Sequence, residues 1–133
     1  TEKNWVVVVR DDVGRLRAFS TLAFQKFHFD GQLLWVAFSG DTVVEPAMWK
    51  ANSLAQAWIP AILQLKRFHR AEPLYWHLIS SGFRTYRFLP ALARRFYPNH
   101  LSPTPDWEGR LMQALSNRRF GECYNPQTGV VHQ

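Results

Sequence analysis

Two long apolar, β-patterned runs stand on either side of Asp30-Gly31, and this pairing constrains the fold more than any other feature of the chain. Asp-Gly between such runs is a strong hairpin signal, because a type I′ turn needs positive φ at both central positions. Before the turn, Phe19, Ala23, Phe27 and Phe29 fall on one face while Ala18, Leu22 and Phe24 fall on the other. A strand apolar on both faces belongs in the middle of a sheet covered by other elements. After the turn, Gln32 to Phe38 reads as the return strand. Ser39-Gly40-Asp41 interrupts it before Thr42-Val43-Val44 resumes, which predicts a β-bulge or bend. Trp5 to Arg10 reads as a buried strand leading in through the turn Asp11-Asp12-Val13-Gly14, so the first three strands are expected to form an antiparallel meander.

Helical patterns follow. Ser53 and Gln56 form a capping box, with Ser53 as the N-cap. Leu54, Trp58, Ile62 and Leu65 then share a face, and Pro60 predicts a kink or a late start. Leu74 to Ile79 reads as a second central strand closed by Ser80-Ser81-Gly82. Phe83 to Phe96 is helical in pattern, broken or started at Pro90, and ends before Pro98. Thr104 as N-cap and Pro105 as first residue open a last helix closed by Arg118, Arg119 and Gly121. A turn at the tail leads into the start of a strand at Val130-Val131. The expected class is α/β (α+β), a mixed and largely antiparallel central sheet flanked by helices in three layers, forming a single domain over 1–133. Thr1 is not a natural start, and further elements are expected at both ends.

A hydrophobic share of 47% and an aromatic share of 15% support a packed core and exclude intrinsic disorder. No apolar run approaches the roughly 20 residues of a membrane helix. Cys123 is the only cysteine, which excludes an internal disulfide and is compatible with a reducing, cytoplasmic setting. The net charge of +6 is unevenly placed: residues 1–65 balance, whereas 66–119 hold ten basic groups, nine of them arginine, against Glu72, Asp106 and Glu108. Such a half favours an anionic partner, whether nucleic acid, a phosphorylated cofactor or an acidic carrier protein. His28, His69, His77, His100 and His132 are dispersed without ligand spacing, so no metal site is expected. A nucleophilic role for Cys123 is disfavoured, since it needs a nearby base and Gly-Glu-Cys-Tyr-Asn-Pro reads as a loop.

The order of strands and helices, with Arg10 to Leu16 as a turn, Asp30-Gly31 as the next, and Val43-Val44-Glu45-Pro46 ending a strand, resembles the middle of the acyl-CoA N-acyltransferase (GNAT) superfamily over roughly residues 5–97. The resemblance implies acyl transfer from a thioester to an amine, with acetyl-CoA or another acyl-CoA as donor. It places the cofactor along Val43 and Val44 and at the start of the Ser53 helix. The family's pyrophosphate loop, R/Q-x-x-G-x-G/A, corresponds here to Trp49-Lys50-Ala51-Asn52-Ser53-Leu54, which has no glycine. Asn52 tolerates a left-handed backbone, Ser53 leaves helix N-terminal amides for an anion, Lys50 brings a charge, and Leu54 follows them. The departure leaves an acyl carrier protein as a second possible donor. The resemblance further implies Tyr86 as the acid that returns a proton to the leaving thiolate. A free imidazole titrates near neutral pH, which makes His77 a candidate base; Glu45 and Asp41 at a strand end are candidates for the same role or for binding a substrate ammonium. The bulge at Ser39-Gly40-Asp41 would aim a backbone N–H at the acyl oxygen.

Two other functions remain open on the same residues. Arg84, Arg87, Arg94 and Arg95 interleave with Phe83, Tyr86, Phe88, Phe96 and Tyr97, a pattern suited to RNA or single-stranded DNA through charge and stacking. A degenerate GNAT-like domain with a structural role is the other.

Overall fold

The structure is a computed structural model that describes residues 3–48 and 53–132, with the side chains of 53–55 and 84 outside the description. The chain divides into two compact units, Thr1–Leu92 and Ala93–Gln133. The first unit is built on a four-stranded sheet of order β1-β2-β3-β4, comprising β1 (Trp5–Arg10), β2 (Leu16–Phe29), β3 (Gln32–Val44) and β4 (Leu74–His77). β1, β2 and β3 form the expected antiparallel meander, and β4 adds to β3 in parallel. The protein is thus mixed α/β with a mostly antiparallel sheet.

Local chemistry accounts for the meander. Asp30 (φ 49°) and Gly31 (φ 71°) both take positive φ, as a type I′ turn demands, and Phe29 pairs with Gln32 across it. At the other end of β2, the Asp11 carboxylate accepts the backbone N–H groups of Val13 and Arg15 and fixes the β1–β2 turn. Asn4 lengthens the sheet with its side chain: its amide donates to the Phe24 carbonyl and accepts the Phe24 N–H, both at 2.9 Å.

Helix α1 (Ser53–Phe68) covers one face of this sheet and runs unbroken through Pro60. Trp58 packs with Ala18 and Leu22, supported by Val7, Val9, Val44, Ile62 and Trp76. Leu65 packs with Phe24, Trp35, Ala37 and Leu74. The two-residue strand period and the helical spacing of Trp58, Ile62 and Leu65 therefore bring the expected residues together. The Ser53 cap lies outside the described side chains. Lys66 closes the helix by donating to the carbonyls of His69, Arg70 and Glu72. The opposite face of the sheet also holds buried residues, Ala23, Leu34, Val36 and Phe38.

In the first unit, three expectations need correction. β1 is not a buried strand but a half-exposed edge: Val7 and Val9 reach the core, while Trp5, Val6 and Val8 are exposed. A run of valines reports affinity for pleated structure, not how many neighbours the strand finds. β4 is likewise the other edge, four half-buried residues long, rather than a central strand reaching Ile79. The helical stretch from Phe83 is two short pieces, α2 (Phe83–Tyr86) and α3 (Phe88–Leu92), and stops well before Phe96.

The second unit contains α4 (Asp106–Phe120), with Asp106 and Glu108 in its first turn, Arg118 and Arg119 in its last, and Gly121 at φ 53° ending it. Its N-cap is Pro105 and no side chain caps it, so Thr104 is not the cap. The tail forms a two-residue hairpin between β5 (Tyr124–Asn125) and β6 (Val130–Val131). Asn125 Oδ1 accepts the N–H groups of Gln127 and Thr128 and shapes its turn. Among the described residues no helix is long and apolar enough to cross a membrane.

Candidate functional site

The feature with chemical potential lies where β3 and β4 part. Their parallel pairing runs from Trp35↔Leu74 to Phe38↔His77 and ends there. β3 continues to Val44, paired only with β2 on its other side. From Ser39 onward the second edge of β3 is therefore without a strand neighbour among the described residues. Such an edge presents backbone donors and acceptors to an extended ligand.

The predicted bulge falls at this point of separation. Ser20 pairs with Thr42 and Leu22 with Ser39, so three steps along β3 oppose two along β2. Gly40 is held close at the bulge, where an added Cβ would lie 2.5 Å from Thr21 Oγ1 and 2.8 Å from Lys3 Cε. Ser20 and Thr42 join their hydroxyls at 2.8 Å just beyond it. Trp76 Nε1 donates to Ser39 Oγ at 3.3 Å and latches β4 to the bulge, and the His77 ring sits 5.5 Å from that of Phe38. Behind Trp76, at 4.9 Å, is Trp58, whose buried Nε1–H has no acceptor among the described residues. A buried indole N–H ordinarily finds a partner, because leaving it unpaired costs about 1–3 kcal/mol. Trp35 Nε1 is a second buried donor of this kind, its ring stacked on Phe24 at 4.6 Å and tilted against His69 at 3.8 Å.

The structure separates the predicted residues into groups. His77 and the Ser39–Asp41 bulge come together at the end of the parallel ladder. Val43 and Val44 lie on the open stretch of β3, with Val43 exposed and Val44 against the core. Tyr86 is half-buried and is the last residue of α2, a few residues downstream of β4. Glu45 is drawn toward the β1–β2 turn: Arg17 Nη1 donates to Glu45 Oε2 at 2.5 Å while Arg17 Nε donates to Asp11 Oδ2 at 2.8 Å. Hydrogen bonds and charge from Glu45 and Asp11 raise the Arg17 pKa. Asp41 is paired with Lys3, whose hydrogen bond and charge lower its pKa. Lys50 and Asn52 lie outside the described residues. Ser53 and Leu54 open α1, with their side chains outside the description. Among the described residues no cluster of His, Cys, Asp or Glu is suited to hold a metal.

Some of the arginine–aromatic segment is used within the chain. Arg87 lies over the Phe83 ring at 5.8 Å, and Arg95 reaches Glu108 at 3.7 Å. Helical spacing marks Trp58 only as an apolar side chain; the further signal is that a tryptophan placed in the core also brings an N–H there.

No protein-family model matches the chain, and no curated protein matches it. Among solved structures it is similar to the BH1408 protein of Bacillus halodurans, seen in two mutant forms. Both give a TM-score of 0.57, at 17% and 16% identity, over 78% of this chain and 67% of that one. A Trypanosoma brucei acetyltransferase matches with a TM-score of 0.48 at 18% identity, over 74% of this chain and 66% of that one. At such identities the BH1408 likeness is one of fold. The class defined here is an α+β domain with a mostly antiparallel sheet whose parallel edge pair parts partway along β3.

Proposed function

We propose that this chain is an N-acyltransferase-like domain of GNAT type that moves an acyl group from a CoA or carrier-protein thioester to an amine. The observation that supports it is the parting of β3 and β4 at Phe38↔His77, with a bulge on β3 at the same place. An extended thioester arm laid along the open edge from Ser39 to Val44 would pair with strand backbone. One property suits a phosphorylated donor: helix α1 contains no Asp or Glu to oppose an anion near its start. Lys50, Asn52, Ser53 and Leu54 would hold the phosphates, and Val43 and Val44 the arm.

The bound thioester supplies an activated carbonyl carbon. A backbone N–H of the Ser39–Asp41 bulge would face the carbonyl oxygen as it gains negative charge. His77 accepts the proton lost by the attacking amine nitrogen as the N–C bond forms. Tyr86 donates its hydroxyl proton to the sulfur as the C–S bond breaks. Glu45, engaged by Arg17, would act on the substrate ammonium only after leaving that pair.

The test is a thermal-shift titration with acetyl-CoA, longer acyl-CoAs and free CoA. Ligand that binds only the folded chain raises the melting temperature by mass action. A saturable rise is expected, and its absence for every compound removes CoA as the donor. With an amine acceptor in hand, Tyr86→Phe should lower turnover more than binding; unchanged turnover removes Tyr86 from the mechanism.

A further inference from the structure

We propose that the outward face of α1 docks an acidic, amphipathic helix of a partner protein. The sixteen residues of α1 include no Asp or Glu, and its last turn carries Lys66 and Arg67. Ile59 and Leu63 stand four apart on the face turned away from the sheet and are 40% and 54% exposed. Arg67, four residues further, continues that row. Phe68 (74% exposed) flanks it, and Arg70 lies just past the helix end.

These charges are uncommitted. Arg17, Arg95 and Arg110 each reach a carboxylate, but the side chains of Arg67 and Arg70 make no ion pair among the described residues. The helix end does not need them, because Lys66 already serves its terminal carbonyls. An aliphatic row spaced four apart is a ridge that fits the groove of another helix. Arginine's planar fork matches carboxylates in pairs. The row itself is aliphatic and Phe68 is a single flanking ring, so the four-residue apolar spacing beside two uncommitted arginines selects an acidic helix over a single-stranded nucleic acid, which stacks successive bases on several rings. The surface lies on the second half of α1 and does not depend on the acyl-transfer reading.

The test uses the full chain and fluorescence anisotropy with a labelled synthetic helical peptide carrying a leucine seam edged by glutamate. Oligothymidine and the same peptide with glutamine replacing glutamate serve as the comparison probes. Saturable binding of the acidic peptide is expected, weakened by salt and by the glutamine exchange. Arg67→Glu and Leu63→Ala should each reduce it by about tenfold, as central interface anchors do, with the melting temperature unchanged because both side chains are exposed. Absence of saturable binding, or binding that neither substitution weakens, overturns the proposal. So does tighter binding of oligothymidine that the same substitutions abolish.

Discussion

Gly40 offers the sharpest test of the bulge. In an ordinary strand, glycine to alanine is favourable by about 0.5–1 kcal/mol, because alanine loses less backbone freedom on folding. Here the sign should reverse. A Cβ at position 40 would sit 2.5 Å from Thr21 Oγ1, 2.8 Å from Lys3 Cε and 3.2 Å from Lys3 Cδ. The lysine chain is flexible and swings aside cheaply, at the loss of a solvent-exposed pair with Asp41 that contributes little. Thr21 is β-branched and stiff at χ1, and its hydroxyl points toward the Asp41 carbonyl at 3.5 Å, so the strands must part or the side chain must leave its rotamer. Overpacking of this kind costs about 1–3 kcal/mol. Gly40→Ala should therefore lose about 2 kcal/mol in urea unfolding, with an unchanged m-value. Thr21→Ala in the same chain should recover most of that loss, and Lys3→Ala little of it, as a double-mutant cycle would read. A loss below about 0.5 kcal/mol, or no rescue by Thr21→Ala, would refute the close approach at the bulge.

Ser39→Ala removes the acceptor of Trp76 Nε1 and should cost about 1–2 kcal/mol in the same assay; a neutral result means the latch carries no energy. Asp11 has its pKa lowered by the Arg15 backbone N–H first, with the Arg17 hydrogen bond and charge adding to it. Since the folded value lies below the unfolded one, the stability Asp11 contributes is present above the unfolded carboxylate pKa, about 4, and lost as pH falls through the folded value. Asp11→Asn should therefore flatten the fall in melting temperature on acidification below about pH 4; an unaltered acid limb would dismiss this carboxylate as a contributor.

What could be read from the sequence was local. The hairpin at Asp30-Gly31 needs only two residues that tolerate positive φ and apolar runs beside them. The bulge announced itself through Gly40, the one residue in that strand without a Cβ to clash. The Trp58, Ile62 and Leu65 face needed only helical spacing. What failed depended on neighbours distant in sequence. Trp5–Arg10 and Leu74–His77 are rich in β-formers and read as interior, yet each pairs on one side only, a fact of sheet order that composition does not encode. Pro105 displaced Thr104 as the N-cap by a one-residue shift that the capping pattern alone could not resolve.

The candidate site was legible as parts and illegible as a place. Ser39 and His77 were singled out separately, but their proximity depends on the parallel register of β3 and β4, and nothing in either segment specifies it. That register is set at its start, where Trp35 N–H donates to the Pro73 carbonyl at 2.9 Å, and both strands advance in step from there. β4 has only four residues before the chain leaves the sheet toward Ser80-Ser81-Gly82, whereas β3 has thirteen. Because pairing starts at Trp35 and β4 stops opposite Phe38, the open edge is the part of β3 beyond it, Ser39 to Val44. The bulge lies where the ladder ends because the turn at Asp30-Gly31 sets the pairing of β2 and β3 from one end, while Ala18 paired with Val44 and the Glu45 N–H bonded to the Arg17 carbonyl hold it at the other. One extra residue on β3 reconciles the two, and Gly40 is the residue that fits beside Thr21.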